Sequence, residues 1–565
     1  MPAPSPRGDV VVFEKGREIW TVPFDGSRPP SRLFFARGEN TTPVWSPDGR
    51  ILAFVTDRGA HSYIALYTSD AEPIRYLAPS TSLDSDPVWS PDGSKIVFVR
   101  QPGRGGATRS PLTPRPRPWA IWVADVKSGQ ARQVWQSAET LRGSYPDTEG
   151  EANLRWMAGD RIAFLSYQDG WPHLYSIPAA GGEAKLLTPG EFMAEYVSIT
   201  PDRRFLVYNA NTGADRDDGE RRHIFKVAAD GAAAPEALTT GTGAEWMPVV
   251  SSGGTLAFLG SEARKPPMTF VRALNGPAQP RAIDADLLAP DFPSAQLVVP
   301  EPVTFKAPDG TTVHGQLFKA TGGAGATRRP AIVFVHGGPP RQMLLAWHYM
   351  FYYANAYGVN QYLASRGFTV LSVNYRLGIG YGYEFHQPAD GGGRGASEYQ
   401  DVLAGAKYLQ ARADVDPKRV GIWGGSYGGY LTALALGRNS DVFAAGVDIH
   451  GVHTRVTPPS DAVETAARIG DGLTTEDVAK ALQVAWQSSP DAYVATWRSP
   501  VLFIHGDDDR NVRVAETIEL VQRLKARGAK YEEMIIPDEI HDFLLYRTWL
   551  RVDTATAEYF ERVLR

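Results

Sequence analysis

The chain contains no cysteine. That excludes disulfides, thiolate metal ligands and a cysteine nucleophile together, and it leaves the redox compartment unspecified. Long apolar runs are also missing: no stretch of the sequence approaches the roughly 20 residues needed to span a bilayer. The N-terminus, MPAPSPRGDVVVFEKG, lacks the basic segment and apolar core of a secretory signal. As written the chain therefore reads as cytoplasmic, or as periplasmic or secreted if residues precede this start. Charge of either sign is scarce in excess. A net charge of −5 over 565 residues gives no reason to expect nucleic acid or an anionic membrane as partner. No H-E-x-x-H or comparable ligand spacing occurs, and no phosphate-binding glycine loop precedes a helix apart from one serine-bearing turn, so neither metal nor cofactor is expected.

Glycine and proline are plentiful, 56 and 43 residues, which favours many tight turns. The length exceeds what one hydrophobic core supports, so two or more domains are expected. The first half is a repeat. PVWSPDGRILAFVTD starts at Pro43, and PVWSPDGSKIVFVRQ starts at Pro87, 44 residues later. Fainter copies begin at Leu154, Val197 and Val249, and SPRGDVVVFEKG from Ser5 fits the same template with its first strand cut off. A period of about 40–50 residues, each unit made of short alternating strands and a Pro-Asp-Gly turn, is that of a β-propeller blade. Six units fill residues 1–290. Enzyme-linked propellers more often have seven or eight, so this one is expected to be truncated at its start. Two segments break the period: the Arg-, Pro- and Gly-rich stretch Pro102–Pro118, read as an exposed loop, and LRGSYPDTEGE from Leu141, with Asp147, Glu149 and Glu151.

Residues 291–565 change pattern to strand, loop, helix. Ala331–Val335, Phe368–Tyr375, Gly421–Trp423 and Val501–His505 are largely apolar, as strands buried on both faces of a parallel sheet must be. Ser397–Ala413 and Val514–Gly528 carry helical spacing between them. This half is expected to be an α/β domain.

Within it, Ile422-Trp-Gly-Gly-Ser426-Tyr-Gly-Gly-Tyr430 holds G-x-S-x-G between a strand and a helix, the context of a nucleophile elbow. Glycines at 424 and 428 make room for the turn, and the amide of Tyr427 falls near the developing oxyanion. A serine hydroxyl needs a base. In the order serine, acid, histidine, VLFIHGDDDRNV offers Asp507, Asp508 and Asp509 past a strand end, and His541 is the one histidine of the eleven that follows both elbow and acid turn. Upstream, VFVHGGPP places Gly337 and Gly338 where a second oxyanion donor belongs.

Taken together these residues resemble the prolyl oligopeptidase family of serine peptidases, which joins a propeller to an α/β-hydrolase domain. GGSYGGY is similar to its nucleophile motif. HGGPP is similar to the oxyanion turn of its acylaminoacyl-peptidase branch, and NYRLGIGYGYEF to a further family segment, with Leu377 in place of a glycine. HGDDDRNV resembles the acid turn, in which the fourth residue after the histidine is the acid, and this selects Asp509. DEIHDF resembles the turn bearing the catalytic histidine. The resemblance implies a triad of Ser426, Asp509 and His541, an acyl-enzyme mechanism, and short peptides cleaved near their N-terminus, with folded proteins excluded by the propeller. It makes Glu149 and Glu151 candidates, by location, for binding a substrate amine, although paired loop acids are commonly just solvated. His450 and His453 are candidates for pocket lining and equally for ordinary loop histidines; His505 is read as strand-end packing. The segment VDIHGVHTRVTPPSD from Val447 carries no aromatic residue, and Arg455 stands near where a tryptophan is common, which argues against proline preference. A homo-oligomer is left open. Two other functions stay in view. One is an esterase of small acyl esters on the same triad. The other is a non-catalytic propeller protein, which would need a broken triad.

Overall fold

A computed structural model of the chain describes residues 2–105, 110–276, 279–321, 328–455 and 474–565. Part of the arginine-rich loop, 106–109, and the end of the segment that follows Arg455 lie outside the described residues.

Residues 3–282 form six four-stranded antiparallel sheets, each built from consecutive strands. The repeated turn explains why the pattern recurs. In the second sheet the Ser46 hydroxyl donates to Asp48 (2.7 Å) and accepts from the Ile51 amide (2.9 Å). Ser90 and Asp92 repeat this in the third sheet (2.6 Å), and Thr200 and Asp202 in the fifth (2.5 Å). Each side-chain ring stands in for a backbone turn. Gly49 and Gly93 take the positive φ that follows, and in the fifth sheet Arg203 takes it instead, at φ 56°.

The strands bury alternate residues between sheets. Val12, Ile19, Phe54 and Ala65 join the first sheet to the second; Ala53, Ile64, Trp89 and Phe98 join the second to the third; similar clusters link each later pair. No such cluster among the described residues joins the sixth sheet to the first. The sixth packs instead against the second domain, through Ala244, Trp246, Leu344 and Ala346.

That second domain is one eight-stranded sheet: β1 (Glu301–Lys306), β2 (Thr312–Phe318), β3 (Arg329–Val335), β4 (Thr369–Asn374), β5 (Val415–Gly425), β6 (Ala445–Ile449), β7 (Val501–Gly506) and β8 (Tyr531–Ile536). Their spatial order is β1-β2-β4-β3-β5-β6-β7-β8, antiparallel up to the β2–β4 pairing and parallel from β4 onward. Every residue of β4, β6 and β7 is buried, as apolar runs covered on both faces require. Helices α1 (Phe351–Ser365) and α5 (Tyr546–Leu564) cover one face. On the other face lie α2 (Glu398–Gln410), α3 (Tyr427–Arg438) and α4 (Ala515–Ala526). The architecture is a propeller joined to an α/β-hydrolase domain.

A set of buried polar residues ties the two domains together. Glu220, at the end of a short turn of helix in the propeller, accepts from Tyr381 (2.8 Å) and pairs with His314 (2.8 Å). Arg222 bridges Glu195 (2.5 Å) and the side-chain oxygen of Gln342 (2.7 Å), whose amide nitrogen donates back to the Gly219 carbonyl (2.9 Å). Asn211 donates to the Gly380 carbonyl (2.8 Å).

Candidate active site

β5 runs straight into α3, so Ser426 carries the whole change of direction. It does so at φ 58°, ψ −116°, strain of about 1–3 kcal/mol that packing must hold in place. The Ser426 amide donates to the Ile449 carbonyl (2.9 Å), and its carbonyl accepts from the Tyr430 amide (3.0 Å). A Cβ on Gly424 or Gly428 would collide with the Val335 carbonyl, so β3, β5 and α3 meet this closely only because both positions are glycine.

The turn after β3 leans on this elbow. A Cβ on Gly337 would stand 2.8 Å from the Gly425 carbonyl oxygen and 3.2 Å from Ser426 Cβ. Gly338 follows at φ 114°. Tyr375 fixes the turn from below: its hydroxyl donates to the His336 carbonyl (2.6 Å) and its ring stacks on the imidazole at 4.3 Å. Burial pushes His336 down to about 4, which keeps it neutral.

Of the three acids after β7, Asp508 pairs with exposed Arg510, and Asp507 accepts the Asp538 amide (2.7 Å). Asp509 is buried and meets His541 Nδ1 at 2.6 Å. Its other oxygen accepts the amides of Asn511 and Val512 at 2.8 and 2.9 Å. Burial works to raise its pKa, but hydrogen bonds from His505 and His541 and from the Val512 amide outweigh burial and hold it far below the usual carboxylate range. His505 does more than pack the strand end. It bonds Thr517 and the Val512 carbonyl and lies 3.3 Å from Asp509, so it braces the acid loop. The turn bearing His541 is clamped by buried Glu539, which accepts from the Leu544 amide and the Thr548 hydroxyl.

Sequence reasoning left His450 and His453 undecided, and the structure separates them. His453 is buried with Asp448 (2.8 Å), whose carboxylate lies against Gly429 of α3. His450 stacks on His541 with ring centroids 4.2 Å apart, shares a hydrogen bond of 2.8 Å between its Nε2 and the Tyr352 hydroxyl, and abuts Gly425. Burial and the neighbouring imidazoles of His541 and His505 hold it neutral. His450, Asp509 and His541 bring nitrogen and oxygen atoms within 4.8 Å of one another. They are the one set among the described residues spaced to hold a metal ion, although Asp509 and His541 already bond each other.

The ring of Tyr427 packs between Tyr375 (6.2 Å) and Tyr430 (5.0 Å). Its hydroxyl donates to Glu398 (2.7 Å), and the guanidinium of Arg455 lies over its ring at 4.7 Å and over Tyr430 at 4.1 Å. A pocket of about 140 Å³ is lined by Arg117, Tyr145, Asp147 and Tyr167 from the propeller and by Tyr383 and Arg394 from the hydrolase domain. The Tyr145 hydroxyl stands between Glu151 (2.7 Å) and Asp86 (2.6 Å). Burial, and then the charges of Asp86 and Asp147, raise the pKa of Glu151 despite the Tyr145 hydrogen bond. Glu149 is exposed and contributes its backbone carbonyl to Asn153. The acid that shares Tyr145 with Glu151 is thus Asp86, on a strand of the third sheet, whereas Glu151 lies in the loop that leaves that sheet. Nothing in the spacing of the chain announces that partnership.

Residues 355–565 match the family model described as the prolyl oligopeptidase family, and residues 120–268 match that of the dipeptidyl peptidase IV N-terminal region. Over 224 residues, 38% of this chain and 30% of the relative, the sequence is 33% identical to dipeptidyl aminopeptidase BIII of Pseudoxanthomonas mexicana. Over 253 residues, 43% of this chain and 36% of the relative, it is 28% identical to YuxL, an uncharacterized peptidase of Bacillus subtilis. The chain thus spans about a third of the length of these curated relatives. A puromycin-hydrolyzing peptidase of Mycobacterium tuberculosis shares the fold, with a TM-score of 0.77 at 21% identity over 100% of this chain and 85% of that one.

Proposed function

Because the chain belongs to the prolyl oligopeptidase family of serine peptidases, we propose that it hydrolyses short peptides near their N-termini, as a dipeptidyl- or acylaminoacyl-peptidase, through an acyl-enzyme on Ser426. One observation carries this reading. A buried, strongly acidic carboxylate holds an imidazole at 2.6 Å, and that imidazole stacks on His450, whose ring abuts Gly425, the residue before a strained elbow serine.

In this mechanism the Ser426 oxygen attacks the scissile carbonyl as His541 takes its proton. Asp509 fixes the imidazole orientation and stabilises the imidazolium that forms. The amide of Tyr427 and those of the Gly337–Gly338 turn receive the oxyanion; one such donor is typically worth two to three orders of magnitude in turnover. The C–N bond breaks and the leaving amine takes the proton from His541. Water then attacks the ester as the same imidazole takes its proton, and the imidazolium passes that proton to the Ser426 oxygen as the C–O bond breaks and the acid leaves. Glu151, with Asp86 beside it and Glu149 close in sequence, is assigned to the free ammonium of the substrate.

Ser426→Ala should lower turnover of chromogenic dipeptides and acyl amino acids by roughly four to six orders of magnitude and abolish fluorophosphonate labelling. Unchanged turnover would exclude Ser426 as nucleophile. Comparing nitroanilides with nitrophenyl esters separates peptidase from esterase, since vanishing amide turnover beside active ester turnover would favour the latter. Glu151→Gln should raise KM for dipeptides with a free amine and leave N-acylated substrates alone, which separates the two peptidase types.

A further inference from the structure

Against the two tyrosines at the start of α3, Arg455 holds a cation with no bonded counter-ion among the described residues. Its Nε and Nη2 are shut off from solvent and have no hydrogen-bond partner among the described residues. Its guanidinium rests on the rings of Tyr427 and Tyr430. Such stacking offsets only part of what burying an unpaired ion costs. Glu398 faces the same rings but is occupied: the Tyr427 hydroxyl and the Gly392 amide (3.0 Å) donate to it, and burial pushes its pKa up, which makes it a poor counter-ion.

The location follows from the chemistry of the step. A base that must protonate the leaving amine sits on the leaving-group side, so the side chain of the acyl residue points the other way. Away from His541 the wall runs from His336 to Tyr375, to Tyr427 (6.2 Å from Tyr375) and then to Arg455. A Cβ on Gly393 would touch Arg455 Cβ at 3.9 Å, and the next residue, Arg394, lines the pocket that reaches Tyr145. Arg455 therefore sits beside Tyr427, the residue after the nucleophile, and beside the loop whose Arg394 lines the pocket shared with the propeller.

Building on the peptidase reading above, we propose that Arg455 is a specificity-determining residue whose guanidinium receives an acidic side chain, Asp or Glu, on the residue that acylates Ser426. A carboxylate entering there gives Nε and Nη2 the two acceptors they lack, in the fork geometry that guanidinium and carboxylate share.

The test uses the full chain and dipeptide nitroanilides that differ only in the second residue: Glu, Gln, Asp, Asn or Leu. For the wild type, kcat/KM for Glu should exceed that for Gln by about tenfold or more, as a charge-assisted hydrogen bond allows. Arg455→Met should bring the ratio close to one, and Arg455→Lys should retain part of it. A wild-type ratio at or below one overturns the proposal, and so does an Arg455→Met ratio equal to that of the wild type. The ratio is taken within each variant, so loss of folded protein does not move it, and the wild-type ratio alone decides if neither variant folds. Fluorophosphonate labelling of Ser426 keeps the two readings apart. Labelled enzyme that cleaves Gln and Leu as well as Glu removes only the role of Arg455, whereas no labelling and no turnover on any substrate removes the peptidase reading with it.

Discussion

Tyr427 serves two neighbours at once: its backbone starts α3 beside Ser426, and its hydroxyl is held by Glu398. A substitution there would disturb both, so its effect on turnover could not be assigned to the ring alone. Histidines offer a cleaner measurement. His336 and His386 are fully buried, and burial lowers both to about 4; His386 also bonds the Tyr167 hydroxyl across the domain boundary at 2.7 Å. Between pH 6.5 and 4 the unfolded chain binds protons that these folded side chains refuse. Stability is therefore complete above the unfolded pKa and falls as pH drops through that window. Replacing His386 with Asn should shrink the difference in unfolding free energy between pH 7 and pH 4.5 by about 2 kcal/mol, read from urea titrations at the two values. An unchanged difference would place the acid sensitivity elsewhere. The elbow serine and His541 were legible in the chain because motif and order single them out. The stacking of His450 on His541 was not, since a loop histidine carries no spacing signal and its partner comes from a turn about ninety residues away.

At the scale of elements, the turn Arg216–Glu220 and the residues just after it carry the join between domains. Arg222 reaches Gln342, four residues beyond Gly338, so a propeller side chain steadies the far end of the turn that leans on Ser426. Arg222→Met would strand the Glu195 carboxylate and the Gln342 oxygen, at a cost of about 3–5 kcal/mol. Turnover should fall about tenfold or more while KM changes little, because the proposed oxyanion donors loosen and the peptide-binding residues stay. Steady-state kinetics on one good substrate, with fluorophosphonate titration to count competent sites, would separate this from simple loss of protein. A rise in KM at constant kcat would contradict it. The strands and helices themselves were largely readable: the Ser-Pro-Asp-Gly turns mark the sheets, and the helix expected over Val514–Gly528 appears as Ala515–Ala526. The latch was not readable. Asn211, Glu220 and Arg222 look like ordinary loop polar residues until the fold brings Gly380, Tyr381 and Gln342 to them. The pairing of Asp86 with Glu151 through Tyr145 is hidden for the same reason: contact between a strand and a loop about sixty residues on has no fixed period in sequence.

For the whole molecule, the division of labour is unequal. The α/β domain owns the candidate triad and oxyanion turn, yet Gln316, Gln342 and Asn374 in its interior are saturated partly by Glu220, Arg222 and Gly219 of the propeller. Residues 291–565 produced alone would lose these propeller partners, leaving Gln316 and Asn374 with only their bonds inside the domain, such as those to the Met343 carbonyl. That fragment should melt at a lower temperature than the full chain in calorimetry and take up little fluorophosphonate. A fragment as stable and as reactive as the whole would show that the propeller is dispensable for the chemistry. The propeller is uneven too. Each inner sheet has a packed neighbour on both sides, while among the described residues the first has one only and the sixth borrows the hydrolase domain as its second. The arc behaves like a row of books with a single bookend: the supported end stands, and the free volume at the other end is the first to lean when the shelf is shaken.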